Sequence, residues 1–197
     1  MKKHKLKDYI IISVLISFSV VLSLFDRYIS NALLSVIPFL GVMVPNFKLG
    51  LANIIILIIL INYNFKLSVL AVILKVIVVG LFNPNGLPMS FGGTFFSFVA
   101  MMLLFKCLGK GKHIYFVSAV GGFMHSLGQI LFAFMYYGLI DIKNIVINHQ
   151  IDLNVLIYAP CILIAGLITG IFVGAVAKLL NKYIYKLNII EIERKEK

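Results

Sequence analysis

Charge is scarce in this sequence, and negative charge is scarcer still. Only 13% of the 197 residues are Asp, Glu, Lys or Arg, and 61% are hydrophobic; a soluble domain carries about 25% charged residues. A soluble fold this apolar would lack the polar surface to cover itself. Seven acids stand against eighteen lysines and arginines, a formal net charge of +11. The basic residues sit in short clusters between apolar runs rather than along one continuous face. That excludes nucleic acid as a partner and matches the way membrane proteins fix their orientation.

The signatures of catalysis are missing as well. No Walker A sequence is present, so the chain does not itself hydrolyse ATP. HExxH, GxSxG and paired catalytic carboxylates are absent, and no aspartate-rich motif can hold magnesium against a diphosphate. The intramembrane Asp or Glu relays of ion-coupled carriers are lacking too. The expectation is a protein that is not an enzyme and carries no cofactor and no metal. There are two cysteines, Cys107 and Cys161; neither belongs to a CxxC pair, and the expected topology sets them towards opposite sides of a membrane. The first apolar run has no small-x-small cleavage site, since Leu24-Phe25-Asp26-Arg27 follows it, and it reads as a retained helix. No long repeat or low-complexity segment divides residues 1–197, which form a single membrane domain.

What is present is a series of apolar runs. A spanning helix needs about 20 mostly apolar residues. The runs predict an all-α membrane protein with six transmembrane helices: Tyr9 to Phe25, Lys48 to Ile61, Lys66 to Phe82, Phe91 to Leu108, Ile114 to Gly138 and Val155 to Leu180. Between the first two lies 26–47, too long for a tight turn, rather apolar, and broken by Pro38, Gly41 and Pro45. Irregular backbone facing lipid is very costly, so this segment reads either as a re-entrant or capping loop or as an interfacial one. With the N-terminus inside, fourteen lysines and arginines fall on the inner side and Arg27, Lys48 and Lys143 on the outer, with Lys75 inside a span. That bias puts both termini in the cytoplasm.

In such a chain the informative residues are those that are expensive in lipid. Lys75 lies about seven residues from the outer end of its helix, roughly 10 Å deep at 1.5 Å per residue. Two readings are open: a lysine that snorkels to water, or a cation in a polar cavity facing a ligand. His125 and Gln129 are four residues apart on the fifth helix and share a face, with Ser126 beside them. No carboxylate falls within a predicted span, so a cavity there would be neutral to positive and suited to an anionic or polar substrate. Lys48 and Asn53 start the second helix. The run from Asn83 to Thr94, with Ser90, Gly92, Gly93 and Thr94, has the Gly and Pro content of tight turns and close backbone approach, and an anion could sit at the helix start after Ser90. Gly166, Gly170 and Gly174 form two GxxxG steps, and Ser13 and Ser17 one small-xxx-small step. That spacing serves either internal packing or the docking of another membrane subunit.

The stretch Pro45-Asn46-Phe47-Lys48-Leu49-Gly50-Leu51-Ala52-Asn53 resembles the signature of the Gx transporter family, also labelled heptaprenyl diphosphate synthase component I. Lys75, the Ser90 to Gly93 region and His125-Ser126-Leu127-Gly128-Gln129 add to the likeness, which covers roughly residues 8 to 182. Lys75 is a departure, because the resemblance leads one to expect arginine; a point charge replaces a planar bidentate donor there. The family is similar to the substrate-binding S components of energy-coupling factor (ECF) transporters. That implies a six-helix bundle in the bacterial plasma membrane, with a vitamin or similar micronutrient bound at the outer side beneath a capping loop. It also implies a separate transmembrane coupling subunit with ATPases, docked on the first helix at Ser13 and Ser17. The candidate substrate-binding residues are Lys48, Asn53, Lys75, Ser90, Gly92, Gly93, Thr94, His125 and Gln129. Two alternatives remain: a non-catalytic membrane subunit associated with a polyprenyl diphosphate synthase in quinone biosynthesis, and a membrane scaffold of a flavin-linked redox complex.

Overall fold

The computed structural model describes residues 2–36, 50–82, 84–140 and 153–186. Every described element is helical: α1 (Lys2–Val36), α2 (Asn53–Asn62), α3 (Phe65–Phe82), α4 (Leu87–Leu108), α5 (Ile114–Ile140) and α6 (Leu153–Lys186), with one short 3-10 turn at Pro84–Gly86. Five of them are long and apolar enough to cross a membrane; α2 is the exception. The all-helical membrane fold is therefore as expected, but the helices differ from the expected ones in three instructive places.

First, α1 does not stop at Phe25. It runs on through Asp26 and Arg27 to Val36, so 26–36 is helix rather than loop. The rest of the supposed capping loop, together with Lys48, lies outside the described residues.

Second, α2 is ten residues long, about 15 Å at 1.5 Å per residue, half of the roughly 30 Å hydrocarbon core. Asn53 to Leu60 are all buried. A helix that is apolar all round belongs inside a protein, and α2 packs against α1, α3, α4 and α6. It is a half-helix enclosed by full-length ones.

Third, α4 starts at Leu87 with Pro88 in its first turn, where proline costs no hydrogen bond. Ser90, Gly92, Gly93 and Thr94 are therefore inside the helix, and the expected anion site at a helix start after Ser90 does not exist.

The helices α4, α5 and α6 form the tightest part of the bundle, and glycine makes that possible. A Cβ on Gly92 would lie 2.7 Å from the Gly128 carbonyl, and one on Gly122 would lie 2.2 Å from the Gly166 carbonyl. Gly166 meets Ser126 and Gly122, Gly170 meets Ser118 and Ala119, and Gly174 meets Ser118 and Tyr115. All three glycines of the α6 stripe thus face α5 within the chain. Ser118 Oγ also donates to the Gly170 carbonyl at 2.7 Å across that seam.

One end of the bundle gathers the C-terminal turns of α2, α4 and α6 with the starts of α3 and α5. Asn62 Nδ2 donates to Asn181 Oδ1 at 2.6 Å, the Tyr185 hydroxyl donates to Asn62 Oδ1, and Lys110 Nζ donates to the Tyr63 carbonyl. Asn64 Oδ1 accepts the Leu67 amide at 2.9 Å and so caps the start of α3. Lys106 and Lys110 lie over the Phe65 ring, at 5.6 Å and 5.3 Å from its centre. The outside of the bundle is apolar, with Val14, Phe18 and Phe25 on α1, Ile73 and Ile77 on α3, and Ile164, Ile168 and Phe172 on α6 all exposed.

Candidate ligand site in the bundle interior

Lys75 settles its own ambiguity by position. The buried face of α3 consists of Ser68, Ala71, Val72, Lys75, Val79 and Gly80, a helical stripe, while Ile73, Leu74 and Ile77 face outwards. Lys75 is 4% exposed, and its Nζ donates to Thr94 Oγ1 at 3.4 Å. It points into the protein and does not snorkel.

Thr94 brings α4 into the site, and its neighbour Gly93 brings α5. A Cβ on Gly93 would lie 2.7 Å from His125 Cε1 and 2.9 Å from Gln129 Cγ, so glycine at that position is what lets the imidazole and the amide approach α4. Gln129 and His125 are joined at 3.0 Å between Gln129 Nε2 and His125 Nε2. With the amide as donor the neutral ring carries its proton on Nδ1, and Gln129 Oε1 is buried without a partner. Flipping the amide would pair Oε1 with a ring N–H and strand the NH2 instead. One end of this buried amide is left unmatched either way.

The start of α2 comes in from the other side. Gly50 has φ +84°, a left-handed conformation that suits glycine. Its position for a Cβ is 3.1 Å from Asn53 Nδ2 and 3.5 Å from His125 Cδ2. The structure thus gathers Asn53, Lys75, Gly93, Thr94, His125 and Gln129 into one connected buried cluster. Ser90 and Gly92 lie one turn or less along α4, with Gly92 taken up by the crossing with Gly128. Ser13 and Ser17 lie elsewhere, exposed on α1, and their hydroxyls donate back to the Tyr9 and Ser13 carbonyls at 2.8 Å and 3.0 Å. Among the described residues, no group of three or more His, Cys, Asp or Glu could hold a metal ion, and Cys107 and Cys161 are both free and exposed.

The residue that sequence reasoning missed is Asp26. It is 1% exposed, and its Oδ2 accepts the backbone N–H groups of Gly50 at 2.8 Å and Leu51 at 3.1 Å. The expectation that no carboxylate lies within a span is corrected, because Asp26 falls inside the apolar stretch Tyr9–Ala32 of α1. Among the described residues the cluster therefore holds an acid as well as a lysine, and is not simply neutral to positive. A carboxylate at the start of a helix, bonded to backbone N–H, is favoured by hydrogen bonding and by the helix dipole together. A signal for this was in the sequence. Ser19, Ser23, Asp26 and Ser30 are all buried at helical spacing, which makes a polar stripe that continues straight past Phe25.

A small cavity with room for about one water-sized group adjoins the cluster, lined by Gly50 and Asn53 from the α2 side and by Ser97, Met101, Ser118, Gly121, Gly122, Gly170 and Val173. The model of the family described as heptaprenyl diphosphate synthase component I matches residues 15–180, and the chain belongs to that family. No curated protein and no solved structure matches it.

Proposed function

We propose that this protein is the substrate-binding membrane component of an uptake transporter for a small polar molecule of the vitamin or micronutrient kind. One observation carries the reading: Lys75, buried at mid-helix, turns inwards onto Thr94 beside a His125–Gln129 pair with an unmatched amide. A cation buried in the membrane region is costly and marks a ligand or ion site by default. The half-helix α2 supports the same reading, because interrupted helices whose ends meet inside a bundle are how membrane carriers build polar sites at depth. The resemblance of Pro45 to Asn53 to the Gx transporter signature, and through it to ECF S components, points the same way. Energy would come from a separate coupling subunit and its ATPases, docked along the exposed α1 face that holds Ser13 and Ser17. The protein would sit in the bacterial plasma membrane with both termini in the cytoplasm. The lysines gathered at one end of the bundle, Lys106 and Lys110 among them, support that orientation.

Native mass spectrometry of gently purified protein tests this. The expected spectrum carries one non-lipid small molecule per chain. An empty spectrum, together with a melting temperature that no candidate vitamin moves, would sink the proposal.

The family's description favours a second reading, in which the chain is a non-catalytic membrane partner of a heptaprenyl diphosphate synthase. Co-purification with a soluble, aspartate-rich partner, and altered quinone chain length on deletion of the gene, would favour it over transport.

A further inference from the structure

The cavity below the cluster has a chemistry of its own. On α4, Ser90, Thr94, Ser97 and Met101 are buried at intervals of four, three and four residues, which puts them on one stripe. On α5, Gln129, His125, Gly122 or Gly121, and Ser118 form the antiparallel counterpart, and the Gly93–His125 and Gly121–Met101 approaches set them face to face. Descending these paired stripes, the groups change in kind. Lys75, His125 and Gln129 are cationic, titratable or amide groups, whereas one turn further down the walls are Ser97, Ser118 and glycines. Met101 and Val173 complete the apolar part of the lining.

Among the described residues, no charged side chain lines the cavity. Ser118 Oγ is already bonded to the Gly170 carbonyl. Ser97 Oγ is not bonded: Ser97 is 1% exposed, and its buried hydroxyl has no hydrogen-bond partner. A buried hydroxyl without a partner is costly, and here it borders empty space rather than packed atoms. Asn53 adds a side-chain amide to the same wall.

We propose that this cavity is the deep end of the ligand site and takes a small uncharged hydrogen-bonding group of the ligand, a hydroxyl, carbonyl or amide, on Ser97 Oγ. This rests on the binding role proposed above and narrows its substrate class: a molecule with a polar or anionic end at Lys75 and a neutral hydrogen-bonding end at Ser97. A charged end would have to shed its water here with no counter-ion in the lining. The space has room for about one water-sized group, which suits a single hydroxyl, carbonyl or amide at one end of a molecule.

The test is thiol accessibility, which needs no knowledge of the ligand. Cys107 and Cys161, both exposed, are replaced by serine, and Ser97→Cys is introduced into that background. Modification is followed by intact mass with three reagents: neutral methyl methanethiosulfonate, its anionic sulfonatoethyl analogue and its cationic trimethylammonioethyl analogue. With rates normalised to free cysteine, the neutral reagent should react at least about ten-fold faster than either charged one. Ala71→Cys, at a core position that is 0% exposed and not part of the cavity wall, should stay unmodified. No reaction at Ser97→Cys, equal rates for all three reagents, or equal labelling at Ala71→Cys would each overturn the inference. As a second measurement, Ser97→Ala should leave the melting temperature of the empty protein unchanged or raise it, and a clear fall would show that the hydroxyl has a structural partner. Selective labelling combined with an empty native mass spectrum would leave the cavity standing while the transport reading fails.

Discussion

The two ends of α2 are both polar, yet they are built differently: the N-terminal end is buried in the bundle, while the C-terminal end is part-buried, with Lys110 exposed. At the C-terminal end the side-chain amides and the backbone are matched: Asn62 holds Asn181 and receives the Tyr185 hydroxyl, and the Tyr63 carbonyl receives Lys110. At the N-terminal end the backbone is matched, since Asp26 accepts the Gly50 and Leu51 amides, but Ser97 Oγ and Gln129 Oε1 are not. Folding alone favours satisfied polar groups. The lower end is what stability requires. The upper end keeps hydrogen-bonding capacity that the fold does not use, and that capacity is what a ligand needs.

The largest expected effect comes from removing the one acid that anchors the upper end. Asp26→Leu strands two backbone amides and should cost about 3 kcal/mol, read as a large drop in melting temperature or loss of monodisperse protein. Asp26→Asn keeps an acceptor and should recover part of the loss. Next is the lower clasp, where Asn181→Leu removes one of the two acceptors of the Asn62 amide, which keeps its bond to the Ile58 carbonyl at 2.9 Å, and should cost about 1 kcal/mol without altering any bound small molecule. If Asn181→Leu instead empties the protein of ligand at unchanged stability, the division between the two ends is wrong. Gln129→Leu should do the reverse: because one end of that amide is already unmatched, stability should stay within about 1 kcal/mol of wild type while ligand retention falls.

The smallest effect is a pH dependence at the lower end. Partial burial pushes the Lys110 ammonium below the usual lysine value of 10.5. The folded state therefore releases this proton at lower pH than the unfolded state does, and stability rises with pH between the lowered value and 10.5. Wild type should gain on Lys110→Gln in melting temperature as pH climbs through that window, and parallel curves would show that the desolvation is not felt.

Much of this was legible in the amino-acid order. Five long apolar runs became five long helices, because 20-residue hydrophobicity is a strong signal. Lys75 and the His125–Gln129 pair stood out because ionisable and amide groups are expensive in lipid. Two things are obscured. Asp26-Arg27 after a 17-residue apolar run reads as the end of a helix, which hides the buried acid; the Ser19-Ser23-Asp26-Ser30 stripe carries that information at helical rather than hydropathic period. The second helix reads as a span from Lys48 because Ile54 to Ile61 is uniformly apolar, and apolarity alone does not separate a short helix buried in protein from a full crossing in lipid. Ser97 was passed over because one serine in a spanning helix is cheap, and its missing partner is visible only in three dimensions.

The most direct test of a ligand site at the upper end is native mass spectrometry of three proteins side by side: wild type, Lys75→Met and Asn181→Leu. The account predicts one small molecule on wild type and on Asn181→Leu, and none on Lys75→Met although it elutes as a folded monomer. Equal retention by Lys75→Met and wild type would contradict it.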